Sequence, residues 1–366
     1  MALRLTELTI SHFRSHRVAR MALDGRPVAL YGPNGAGKTN ILEAVSLFSP
    51  GRGVRRASAA DMTRRPEALG WKLTSVLETS GHAHELETWS EEGAARLVRI
   101  DGKAAAQVAL GRVLRVLWLI PAMDRLWIEG AEGRRRFLDR MALSFEPAHA
   151  EVSLQYEKAM RERNRLLKNM VSEPSWYMAL ENQMAQAGHA IDQNRRHALE
   201  HLSQAQQNAA TAFPTADLEL VHNEMTLPDT VEALRSALAE SRQRDMAAGR
   251  TLVGPHRADL IGTYAAKDLP AKDCSTGEQK ALLVSLILAN ARAIAATYGA
   301  APLLLLDEVA AHLDADRRAA LYDEIVALGA QAWMTGTEKD LFSAMGDRAQ
   351  YFKVSEEDGA SFVADG

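Results

Sequence analysis

Gly32-Pro33-Asn34-Gly35-Ala36-Gly37-Lys38-Thr39 fits the pattern G-x-x-x-x-G-K-[ST] at each fixed position, and the reading of the rest of the chain turns on it. Ahead of it Val28-Ala29-Leu30-Tyr31 is a short apolar run of strand type, and behind it Asn40-Ile41-Leu42-Glu43-Ala44-Val45 has helical spacing. The glycines therefore fall at a strand-to-helix turn, where a loop can curl its N–H groups around phosphate. Gly32, Asn34, Gly35, Ala36, Gly37 and Asn40 read as that cradle, Lys38 as its full positive charge, and Thr39 as a hydroxyl for Mg²⁺. The plainer alternative is a glycine-rich turn that matches by chance. The strand before and helix after weigh against it.

Far downstream, Pro302-Leu303-Leu304-Leu305-Leu306-Asp307-Glu308 is an apolar run followed by two acids. Such a run makes a strand buried on both faces, whose end delivers Asp307 and Glu308 where a parallel sheet places its ligand site. Asp307 suits Mg²⁺, and Glu308 suits the orientation of an attacking water. A strand ending in a solvated acidic turn is the ordinary alternative. Between the two lies Cys274-Ser275-Thr276-Gly277-Glu278-Gln279, opening a helix through Leu282, Leu283, Leu286, Ile287 and Asn290. Ser275 and Gly277 there make either an anion-binding helix end or a simple N-cap. After His312-Leu313-Asp314 and a helix from about Arg317 to Leu328, Ala332-Trp333-Met334-Thr335-Gly336-Thr337 reads as another buried strand. Either threonine at its tip could point at a γ-phosphate.

Five arginines, Arg52, Arg55, Arg56, Arg64 and Arg65, face the single acid Asp61 across a short stretch, a local positive field suited to phosphate contacts or to a solvated loop. The protein as a whole carries a net charge of −4 and a pI near 6.3, so contact with nucleic acid must rest on such patches. With 366 residues, two lobes are expected. One cysteine, Cys274, excludes an internal disulfide and suits a reducing compartment. The start of the chain lacks a basic-then-apolar leader and no run reaches the length of a membrane span, which points to the cytoplasm.

In chain order, Leu3, Leu5, Leu8 and Ile10 suggest a half-buried first strand, followed by the basic-aromatic turn Phe13-Arg14, from which Arg14 can reach the nucleotide. From Trp71 to Gly102 alternating residues broken at Ser80-Gly81 and Glu92-Gly93 read as antiparallel strands, and Leu114 to Ile120 as a buried strand. From Gly133 to about residue 248 the text looks helical. Leu180, Met184, Ala187, Ile191, Asn194, Ala198, Leu202 and Ala205 mark one packing stripe of a long helix ended by Phe213-Pro214. Strand-like text returns at Thr251 to Leu260.

The phosphate loop, the S-x-G-E-Q turn, the leucine strand with its Asp-Glu and the following Leu-Asp stand in the order of an ABC-type ATPase head. Phe13-Arg14, Thr39-Asn40-Ile41-Leu42-Glu43-Ala44, Gly51-Arg52 with Arg55, Arg134-Arg135-Arg136-Phe137-Leu138-Asp139, Gly254-Pro255-His256-Arg257 and Thr335-Gly336-Thr337 together resemble the bacterial RecF family of recombination-repair proteins. The resemblance implies an α/β fold: an ABC-type P-loop head with a mixed sheet in residues 1–122 and 249–366, and an inserted, mainly α-helical lobe in 123–248. It implies two copies closing on two ATP and Mg²⁺, with Ser275 and Gly277 of one completing the phosphate site of the other. Asp314 and Thr337 join that cofactor set. It further implies a weak DNA-stimulated ATPase acting at double-stranded and gapped DNA with RecO and RecR, assisting RecA indirectly. A transporter-like subunit and an ATP-binding scaffold use the same motifs. No glutamine takes the second magnesium contact usual in such heads, Gln107 lying in a helix-like alanine stretch.

Overall fold

The computed structural model describes residues 3–65, 67–79, 81–207, 209–222 and 226–366; Ser80 of the expected Ser80-Gly81 turn lies outside them. The chain divides into two compact units, Met1–Asp124 with Ala205–Pro214 and Ser275–Gly366, and Arg125–Gln204 with Thr215–Cys274.

In the first unit the run Val28–Tyr31 becomes a strand at the heart of a six-stranded mixed sheet. Its neighbours are Ala332–Gly336 on one side and Gln350–Glu357 on the other, both parallel to it. Leu303–Leu306 and Val116–Leu119 extend the parallel part, and Ala360–Asp365 closes the far edge antiparallel. The four leucines are 0–4% exposed, so the run is buried on both faces as its composition demands. The first strand, Arg4–Phe13, instead builds a six-stranded antiparallel sheet with His16–Ala22, Trp71–Thr79, His82–Ser90, Leu97–Ile100 and Lys103–Ala105. Leu5, Leu8, Ile10 and Phe13 of that sheet, Ile41 and Leu42 of the helix Lys38–Ser46, and Leu303, Leu305 and Trp333 of the mixed sheet share one apolar cluster.

The helix Thr276–Tyr298 is apolar all round because it is a core helix: it is long and apolar enough to cross a membrane, yet 72% of that window is buried inside the protein. Its capping box at Ser275 and its left-handed Gly299 mark the two ends that the text signals.

The second unit departs from the expected boundaries. Residues 249–274 belong to it, not to the head, and the strand expected from Thr251 starts only at Ala258. Thr251 is drawn in by Arg163, whose buried guanidinium reaches the Thr251 hydroxyl at 2.9 Å, Asp245 at 2.6 Å, Glu181 at 3.2 Å and the Leu238 carbonyl at 2.8 Å. Ala258–Tyr264 pairs with Ala216–His222, a strand inside the stretch expected to be helical throughout. Its text alternates apolar and polar residues, a signal outweighed by the surrounding Ala, Gln and Arg. The long helix runs Pro174–Gln207, stopping short of Phe213-Pro214, and buries Met184, Ala187, Ile191, Ala198 and Leu202 along the expected stripe.

Replacing Arg163 by Met leaves Asp245 and Glu181 charged and buried with fewer partners. It should lower the unfolding free energy of the second unit by about 3–5 kcal/mol. Urea titration followed by tryptophan fluorescence measures this.

Candidate functional site

The parallel register brings three strand ends together: Leu306 lies opposite Met334, and Gly336 opposite Tyr31. Gly32 and Asp307 lie just beyond two of these ends, and Thr335 is the next-to-last residue of the third strand. Gly32 adopts φ +151, and a Cβ there would come within 2.0 Å of the Val354 carbonyl oxygen, so only glycine lets the loop leave the strand at this point. Gly37 ends the loop at φ +103 and would clash with the hydroxyls of Ser361 and Ser15. The helix Lys38–Ser46 then begins with no side-chain cap and no acid in its first turn. Its leading N–H groups are thus left for an anion. Ala36 is buried, while Asn34 and Gly35 are exposed at the tip of the loop.

Lys38 Nζ donates to the carbonyls of Gly32 at 2.7 Å and Pro33 at 2.8 Å, closing the loop over itself. Burial lowers the pKa of this ammonium, and the nearby Glu308 and Asp307 carboxylates oppose the shift. Thr39 Oγ1 lies 3.0 and 3.1 Å from the two oxygens of Asp307. Thr335 Oγ1 donates to Asp307 Oδ1 at 2.8 Å and accepts the Glu308 N–H at 2.8 Å. Glu308 itself has left-handed backbone, φ +55. A hydroxyl and a carboxylate oxygen at this spacing, open to phosphate oxygens and water, form a donor set that fits Mg²⁺. The sequence leaves both threonines open at this tip and places Thr337 in the cofactor set; Thr337 is exposed, and Thr335 is the residue tied to the acids.

Arg14 also has left-handed backbone, φ +55. Its guanidinium clasps Glu43 with both arms, at 2.9 and 2.7 Å, and reaches the Asp61 carbonyl at 2.8 Å. Arg55 donates to Glu43 at 3.2 Å and to Asn40 Oδ1 at 2.7 Å, while Asn40 Nδ2 donates to Ser15 Oγ at 2.6 Å. The Glu43 side chain is fully buried. An acid amid the buried Ile41, Leu42, Ala44 and Val45 was the available sign that it must be paired. His16, also buried, is bonded to the Gly37 carbonyl at 3.1 Å, and burial lowers its pKa so that it stays neutral under the loop.

The arginine stretch divides. Arg52, Arg56 and Arg65 are exposed, and Arg55 is half-engaged by Glu43 and Asn40. Arg64 is 7% exposed and holds the carbonyls of Ser15 at 2.7 Å and Gly359 at 3.0 Å, so its charge serves the fold and not a partner's phosphate. Ser275 caps its helix in a reciprocal bond with Glu278, and Gly277 has open space around it. Asp314 caps the helix Ala315–Leu328 through the Arg317 N–H at 2.8 Å. Ser275 and Asp314 thus each bond at their own helix end. Gln107 donates to the Arg96 carbonyl at 3.0 Å on the antiparallel-sheet side and takes no place among the phosphate-loop residues.

Residues 4–361 match the family model described as the RecF/RecN/SMC N terminal domain. The DNA replication and repair protein RecF of Rhizobium rhizogenes is 49% identical over 362 residues, covering 96% of each chain. That of Rhizobium meliloti is 46% identical over 362 residues, covering 96% of this chain and 97% of the other. Among solved structures, the recombination mediator protein RecF with ATP in the RecFOR pathway matches at a TM-score of 0.83 and 23% identity over 100% of this chain and 99% of that one. The Smc head domain of Pyrococcus furiosus matches at 0.57 and 18%, over 99% and 96%.

Fold and site together define an SMC-like P-loop ATPase head carrying an inserted second lobe. Within that class, the chain belongs to the RecF family of DNA replication and repair proteins.

Glu43→Gln removes the charge on which Arg14 and Arg55 converge, and should cost about 1.5–3 kcal/mol in chemical denaturation. Arg4→Ala breaks an ion pair to Glu78 whose two side chains are each 42% exposed, and should cost less than about 1 kcal/mol. Equal losses would mean that the Glu43 cluster is no better than a surface pair.

Proposed function

We propose that this protein is an ATP-switched DNA-binding factor of recombination repair. One observation carries the reading: Thr39, Asp307, Thr335 and Glu308 form a single hydrogen-bonded chain beside Lys38. Lys38 and the uncapped N–H groups after Gly37 hold the β- and γ-phosphates of ATP. Thr39 and Asp307 hold Mg²⁺, which, when bound, neutralises charge on the transferring phosphoryl group. Glu308 orients a water against the γ-phosphorus and accepts its proton as the oxygen bridging to the β-phosphate leaves. Thr335 holds the backbone from which the Glu308 carboxylate projects, because it accepts that residue's own N–H.

Ser275 and Gly277 act across a homodimer formed on ATP, where Ser275 leaves Glu278 for the partner's γ-phosphate, and slow hydrolysis releases the pair. Asp314 and Thr337 join the cofactor set. The exposed Arg52, Arg56 and Arg65, with Arg55, meet phosphates of double-stranded DNA at gaps. RecR and RecO are the protein partners, as the RecFOR pathway named for the structural relative suggests, and RecA loading is taken as the downstream event. A cytoplasmic setting with no membrane partner follows from this role.

Light scattering without nucleotide, with ADP and with ATP should give monomer, monomer and dimer. Glu308→Gln should lower phosphate release by about 10²–10⁴-fold while the ATP dimer persists, and equal turnover in wild type and variant would instead favour an ATP-binding scaffold. Replacing Arg52, Arg56 and Arg65 together by Ala should flatten the salt dependence of duplex binding, by about one unit of log–log slope per lost phosphate contact. Arg64→Ala should destabilise the fold before it touches that slope.

A further inference from the structure

The long helix Pro174–Gln207 contains His197-Ala198-Leu199-Glu200-His201, and the function proposed above uses none of these residues. Histidines four apart on a helix stand one above the other on the same face. Here they converge: their Nε2 atoms lie 2.9 Å apart, with ring centroids at 4.4 Å. His201 stacks flat on Phe145, centroids 4.6 Å and planes 9° apart, and the same ring meets His197 edge-on at 6.4 Å. Phe145 ends the helix Ala131–Phe145, so both imidazoles are braced from a second element. Of the neighbouring charges, Arg196 is paired to Asp192 at 2.7 Å, and Glu200 precedes His201 in the chain. Through this contact one Nε2 donates its proton and the other accepts it.

Two imidazole nitrogens bound to one tetrahedral ion at ordinary zinc distances stand about 3.3–3.4 Å apart. The observed 2.9 Å therefore needs only a small opening of the side chains to admit an ion in place of the shared proton. We propose that His197 and His201 form a two-imidazole site for a borderline divalent transition ion, Zn²⁺ by its chemistry, with water completing the coordination. The H-x-x-E-H spacing is one that zinc peptidases use on a helix. Among the described residues, however, no group of three His, Cys, Asp or Glu converges on one point. A third protein ligand is thus missing, and the site binds an ion without being built for hydrolysis. Bound metal ties two successive turns of the long helix together beside Phe145.

Titration calorimetry with ZnCl₂ on the untagged full chain, cleared of metal by chelator, tests this. The expected result is saturable binding of one ion per chain that is lost in His197→Ala/His201→Ala and kept in His222→Ala, with wild-type circular dichroism in both variants. Cobalt(II) should give the visible absorption of a low-coordinate nitrogen site in wild type alone, and excess Mg²⁺ should not displace it. Absence of saturable binding in the wild type, or an unchanged isotherm in the double variant, overturns the proposal and leaves a simple imidazole hydrogen bond.

Discussion

The carboxylate of Asp307 receives one hydroxyl from the helix after the phosphate loop and another from the neighbouring strand, and the whole site depends on that meeting. Thr39, Asp307 and Thr335 are far apart in sequence. They meet because three parallel strands end at the same level, a level fixed by the pairs Leu306 with Met334 and Gly336 with Tyr31. A slip of one residue would turn every side chain of the moved strand to the opposite face. The leucines buried on both faces of Leu303–Leu306 make such a slip costly, so the register that serves the chemistry is enforced by burial well away from it.

Glu43 applies a similar constraint by charge. A carboxylate without water is tolerated only when donors surround it, and here Arg14 and Arg55 supply them from two other segments. Arg55 also holds Asn40, next to Thr39, so the arginine-rich segment and the phosphate-loop helix share one network. The segment is anchored a second way. The Arg14 N–H is bonded to the Met62 carbonyl at 2.8 Å and the Arg64 N–H to the His12 carbonyl at 2.9 Å.

The parts of the fold legible in the sequence are those in which one local pattern has one physical reading. A glycine-lysine turn between strand and helix, a leucine run ending in two acids, and a stripe along the long helix each satisfy that condition. The second unit was less legible because its boundary is set by contacts between distant residues. Nothing in Thr251 or Leu252 announces that Asn164, Arg163 and Asp245 will bind them. The strand Ala216–His222 alternates visibly, but its partner is Ala258–Tyr264, which cannot be inferred from its own text. Among site residues, Arg64 looked like its neighbours in composition and differed only in burial. Thr335 and Thr337 looked alike, and the alternation of a strand decides between them: Thr335 faces Asp307, whereas Thr337 lies past the last paired residue.

Glu308 poses the sharpest conflict between local preference and placement. A non-glycine residue at φ +55 is disfavoured by about 1–2 kcal/mol, and nothing in the side chain of glutamate relieves that cost. Gly32, at the end of the adjacent strand system, meets its own unusual geometry by having no Cβ. Glycine at 308 would relax the turn in the same way, but it would remove the carboxylate whose charge acts on Lys38. The bond from the Glu308 N–H to Thr335 Oγ1 offsets the strain with a partner that is itself fixed by Asp307. Backbone strain at this position is therefore compensated locally, and what it keeps is a carboxylate close enough to act on Lys38.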